Sequence, residues 1–120
     1  MNKPAFLDQR TRSPFKTTYG NYIGGEWVPA IDGRTFENTS PINGQVICSV
    51  ARSQAADVEK ALDAAHKAKD AWGRTSVAER ARMLNRIADR MEENLALLAL
   101  AETWDNGKPI RETTAADVPL

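Results

Sequence analysis

The apolar residues of this chain change their spacing once, near residue 52, and that switch restricts the fold to short strands first and helices afterwards. From Asn21, the pairs Tyr22-Ile23 and Trp27-Val28 flank Gly24-Gly25, which reads as a two-residue hairpin turn whose glycines accept positive φ. Asp32-Gly33 marks a second turn. Residues 34–40 and 45–50 form another pair of runs, divided by Pro41-Ile42-Asn43-Gly44, where proline and Asn-Gly supply turn geometry. Residues 21–51 are therefore expected as short antiparallel strands. In the last of them Val46, Cys48 and Val50 alternate with Ile47, Ser49 and Ala51, so both faces carry apolar area and one side needs a cover.

Beyond the switch, Val58, Leu62, Ala65, Ala68 and Trp72 recur every three or four residues, predicting a helix with Ser53 as its N-cap and Gly73 at its end. Ser76-Val77-Ala78-Glu79 has the form of a capping box, in which hydroxyl and carboxylate each satisfy an orphan backbone donor, and opens a second helix. Met83, Leu84, Ile87, Ala88 and Met91 give that helix one apolar face. Residues 95–101 are apolar on every side, so a third helix there requires protein nearly all round it. Asn106-Gly107 and Pro109 stop the third helix, and residues 110–120 resume a helix-compatible pattern with no terminating signal, as if the chain were cut. Residues 1–20 show no period and are expected to be an extended N-terminal arm.

Sixteen Lys plus Arg balance sixteen Asp plus Glu, which leaves no surplus field for nucleic acid or anionic lipid. The single cysteine excludes an intramolecular disulfide and any zinc site built on two or more thiolates. No apolar run reaches signal-peptide or membrane-span length. The expectation is a soluble, cytoplasmic protein without nucleic-acid or membrane partners.

No catalytic constellation emerges from the residues. Cys48 would need a lowered pKa or a nearby base to act as a nucleophile, and its place in a strand suits a small apolar residue instead. His66 has no companion histidine or acid placed by spacing and reads as a solvated helix-face residue. Gly24-Gly25 and Asn43-Gly44 match neither Gly-x-Gly-x-x-Gly nor the lysine-bearing phosphate loop. Asn38-Thr39-Ser40 matches the glycosylation sequon, a chance match in a cytoplasmic protein. Trp27, Trp72 and Trp104 are expected to pack against neighbouring structure rather than stack on a ligand.

Three segments in order, residues 22–28, residues 36–44 and residues 102–109 (Glu-Thr-Trp-Asp-Asn-Gly-Lys-Pro), together with the helix around residues 58–65, resemble the opening of the aldehyde dehydrogenase superfamily. The resemblance spans about residues 20 to 120 and looks closest to bacterial acetaldehyde-type enzymes. It implies an α/β parent enzyme with a Rossmann-like cofactor domain. This chain would supply short antiparallel strands followed by three to four helices, with residues 21–120 as the first, incomplete part of the NAD-binding domain. The implied chemistry is oxidation of an aldehyde through a cysteine thiohemiacetal, hydride transfer to NAD and hydrolysis of the thioester by a glutamate-activated water, in an enzyme that is a homo-oligomer at full length. The family's catalytic and cofactor-contacting residues would lie beyond Leu120, so no catalytic or cofactor-binding residue is assigned here.

One family feature maps onto residues present. Many members bind a monovalent cation, and the matching positions are Asn38, Thr39 and Asp105, with main-chain oxygens serving at the first two. Asp105 could equally cap the following turn through its side chain. The rival from a different class is a small autonomous helical interaction module without catalysis, against which the all-round apolar third helix argues.

Overall fold

The computed structural model describes residues 13–119. Residues 1–12 of the expected arm, and Leu120, lie outside the described residues. Strands come first: β1 (Thr18–Tyr19), β2 (Asn21–Ile23), β3 (Glu26–Val28), β4 (Thr35–Thr39) and β5 (Val46–Ala51). They are followed by α1 (Ala55–Arg74), α2 (Val77–Glu93), α3 (Leu95–Asn106), the single turn α4 (Ile110–Glu112) and a π-helical turn, Thr113–Asp117.

β2 and β3 pair antiparallel, with Tyr22 opposite Trp27, and Gly24 and Gly25 take φ of 64° and 91° as the hairpin requires. The Tyr22 and Trp27 rings lie 5.3 Å apart across it, though both remain largely exposed. β4 and β5 are also antiparallel; Asn38 faces Cys48 but Thr39 faces Val46, so Ile47 is the extra residue of a bulge. The end of the expected arm is ordered differently from the expectation. Thr18 and Tyr19 add a strand parallel to β5, giving the order β1-β5-β4. Two residues are too few to leave a period in the sequence, and the pairing is held by the partner strand, as in the bond from Ser49 N to Thr17 O.

The helix boundaries follow local chemistry with two corrections. Gln54, not Ser53, is the N-cap of α1. Asp57 in the first turn accepts the Gln54 backbone N–H at 2.8 Å, while the Ser53 hydroxyl instead donates to Asn21 Oδ1 at 3.0 Å and ties the helix start to β2. The helix also continues through Gly73 to Arg74, because Thr75 turns the backbone extended and sends its N–H to the Trp72 carbonyl. At α2 the expected capping box is formed: Glu79 N donates to Ser76 Oγ at 3.2 Å and Ser76 N to Glu79 Oε2 at 3.3 Å.

Burial is sparse. Among the described residues the buried apolar side chains are Ala30, Cys48, Ala51 and Ala99, and the buried polar ones are Ser40, Asp57 and Thr113. Asp57 links two elements, since its other oxygen accepts the Ile31 N–H at 2.8 Å and so fastens the segment after β3 to the start of α1. The stripe expected to bury α1 is largely exposed at Val58, Leu62 and Trp72, and α2 buries nothing: Leu84, Ile87 and Met91 are exposed. α3 is covered on one side only, with Ala99 buried and Leu97 half exposed. The radius of gyration is 18.1 Å, against about 13 Å for a compact domain of this length. The elements spread as a plate of 59 × 40 × 21 Å whose helical faces lack a cover within these residues.

Candidate functional site

The β4–β5 turn meets the C-terminal end of α3, and the residues expected at the cation position are found there. The turn forms because Gly44 N bonds the Ser40 carbonyl and Ser40 N bonds the Gln45 carbonyl, while Asn43 Oδ1 accepts the Gln45 N–H at 3.0 Å. Its first residue points inward. Ser40, 1% exposed, donates its hydroxyl to the Trp104 carbonyl at 2.5 Å, satisfying an acceptor that α3 leaves open at its end. Gly107 closes that helix at φ 80° with its N–H on the Thr103 carbonyl. A Cβ at Gly107 would stand 3.1 Å from Pro41 Cγ, so a short residue there lets turn and helix end approach.

This approach brings two of the three candidate residues together. Asn38 Nδ2 donates to Asp105 Oδ1 at 2.7 Å, across 67 positions of sequence. Thr39, next on the strand, is exposed and opposite Val46. The turn-capping role considered for Asp105 is taken by its neighbour: Asn106 Oδ1 accepts the Lys108 N–H at 2.8 Å. Lys108 reaches on to Asp117 Oδ2 at 2.8 Å, and that hydrogen bond holds the Lys108 ammonium above its ordinary range.

A monovalent cation would need several oxygens around it. With its amide nitrogen on Asp105, the Asn38 side chain keeps its amide oxygen outside that bond, and the main-chain oxygens of Asn38 and Thr39 stand beside it on the same strand. Asp105 has a second oxygen outside the Asn38 bond. Among the described residues, no group of three or more His, Cys, Asp and Glu side chains is arranged to hold a metal ion.

Beside this junction lies an open groove of about 630 Å³ between β5 and the α2–α3 pair. Phe15, Tyr19, Cys48, Val50, Met91 and Leu98 contribute its apolar walls, and Asn38, Glu102, Asp105 and Asp117 its polar edge. Cys48 is buried in β5 with Asn38 across the strand pair. His66 is exposed on α1 and is not among the groove's lining residues, so the only histidine supplies no base to the only thiol. The arrangement can clasp, orient and cap; it holds no nucleophile–base pair.

Reading the sequence alone missed Ser40 and Asp57. In the sequence Ser40 reads as the last residue of a sequon, although Ser-Pro ahead of Asn-Gly marks a turn whose first hydroxyl is free to cap. Asp57 lies three residues after the true N-cap, the position from which a carboxylate reaches back to it.

A strand-then-helix α/β module whose two halves are clasped at one junction is the class these features define. The aldehyde dehydrogenase family model matches residues 27–120. The chain belongs to the aldehyde dehydrogenase family. It is 65% identical over 106 residues to an acetaldehyde dehydrogenase of Pseudomonas aeruginosa, covering 88% of this chain and 21% of that protein. Acetaldehyde dehydrogenase 2 of Cupriavidus necator is 58% identical over all 120 residues, which amount to 24% of its length. Among solved structures, an NAD-dependent aldehyde dehydrogenase from Sinorhizobium meliloti superposes with a TM-score of 0.82 at 36% identity, over 88% of this chain and 22% of that one. An indole-3-acetaldehyde dehydrogenase in complex with NAD+ gives a TM-score of 0.87 at 34% identity, over 95% and 23%. The chain thus spans about a fifth of the length of the relatives it matches.

Among the described residues no helix is long and apolar enough to cross a membrane.

Proposed function

We propose that this chain is the N-terminal, structural part of an NAD-dependent aldehyde dehydrogenase, with residues 21–120 forming the first part of its NAD-binding domain. The observation that carries the reading is 64–65% identity over 106 or 107 residues to relatives named aldehyde or acetaldehyde dehydrogenase. Acetaldehyde is the proposed substrate, following the Pseudomonas aeruginosa and Cupriavidus necator relatives. NAD is the proposed hydride acceptor, supported by the solved neighbour that holds NAD+.

In this reading the chain's own residues are scaffold. Ser40, Asn38 and Asp105 lock the first strands to the end of α3. The main-chain oxygens of Asn38 and Thr39, with the Asp105 carboxylate, would receive a monovalent cation. The exposed faces of α1, α2 and α3 would be covered by the rest of the enzyme, a cytoplasmic homo-oligomer.

The test compares NAD reduction by the full-length enzyme with that by the 120-residue chain, each offered acetaldehyde. The expected result is NADH from the former and none from the latter, because a nucleophile, a base and a hydride-acceptor site are all required. A full-length enzyme that reduces no NAD with any aldehyde would sink the reading. NADH made by the chain alone, and lost in Cys48→Ala, would overturn its assignment as scaffold.

A further inference from the structure

We draw no further inference here: the strongest candidate, the groove between β5 and the α2–α3 pair with its Glu102, Asp105 and Asp117 carboxylates, belongs to the site already described, and nothing among the described residues shows what fills it.

Discussion

Asn38 and Asp105, 67 positions apart, meet through one hydrogen bond of 2.7 Å, and that bond joins the strand half of the chain to the helical half. Both side chains retain contact with solvent, so the bond's net worth falls below the range for a buried hydrogen bond to a charged group and near that of an ordinary one, about 1 kcal/mol. In the full-length enzyme, a double-mutant cycle with Asn38→Ala and Asp105→Ala should give a coupling energy of that size. Two single substitutions whose effects simply add would mean that the pair contributes no mutual stabilisation.

The proposed cation gives Asp105 a second, separable signature. A ligand bound only by the folded state raises the unfolding midpoint with concentration. Potassium chloride should therefore stabilise the full-length enzyme more than tetramethylammonium chloride at equal ionic strength, and Asp105→Ala should remove the difference. Equal midpoints in the two salts would leave the Asn38–Asp105 bond intact as a clasp while ending the cation proposal.

Gly107 is held in the left-handed region at φ 80° with Pro41 close by. An alanine there incurs backbone strain of about 1–3 kcal/mol and presses its methyl group on the proline ring. Gly107→Ala should lower the denaturation midpoint of the full-length enzyme, and the double variant with Pro41→Ala should recover the part due to contact but not the part due to φ. Full recovery would show that the dihedral angle carries no cost.

Ser76→Ala removes the side chain that accepts the Glu79 N–H at 3.2 Å. Loss of an N-cap of this kind costs about 1 kcal/mol, whereas Ser53→Ala should leave α1 uncapped by no measure, since Gln54 holds that position. An unchanged midpoint for Ser76→Ala in the full-length enzyme would mean that the box adds nothing to stability.

Two ion pairs set the direction of a pH response. Asp32 has its pKa lowered, first by the Arg34 backbone N–H and then by the Arg34 side chain. Its contribution is present above the usual carboxylate range and is lost as pH falls through the depressed folded value. Lys108 has its pKa raised, chiefly by the hydrogen bond to Asp117. Its contribution is present below the usual ammonium range and is lost as pH rises through the elevated folded value. Both groups face solvent, so the effects are small and salt-sensitive. Lys108→Met should flatten only the alkaline limb of a stability–pH curve, and Asp32→Asn only the acid limb; the reverse assignment would contradict the pairing.

The elements legible in the sequence were those specified by neighbours in the chain. The Gly24-Gly25 hairpin, the Ser76–Glu79 box and the Gly107 stop each depend on residues within a few positions. What escaped depends on distant partners: β1 is two residues held by β5, Ser53 is drawn off its cap by Asn21, and Asp57 is buried by the segment carrying Ile31. The candidate site divides in the same way. Family resemblance placed Asn38 and Asp105 near each other, but no local rule predicted that the amide would donate to the carboxylate or that Asn106 would take the turn.

The chain on its own should associate or remain loosely folded. Leu84 is 67% exposed, Ile87 56%, Met91 47% and Leu97 52%, while among the described residues the buried apolar ones are three alanines and one cysteine. Half-exposed side chains of this size each forgo about 1 kcal/mol of burial, and four of them forgo an amount close to the ~5 kcal/mol margin of a small domain. Such faces bind one another, or a hydrophobic dye, when no other protein covers them. Sedimentation of the 120-residue chain should show oligomers or aggregates, its thermal transition should be broad, and dye fluorescence should rise on mixing. The replacements Leu84→Lys and Leu97→Lys should shift the distribution toward monomer without restoring a sharp transition, because they remove the sticky surface but provide no core. A monomer with a sharp transition and no dye binding would mean that four small buried residues suffice, and the case for scaffold that needs the rest of an enzyme to cover it would fail.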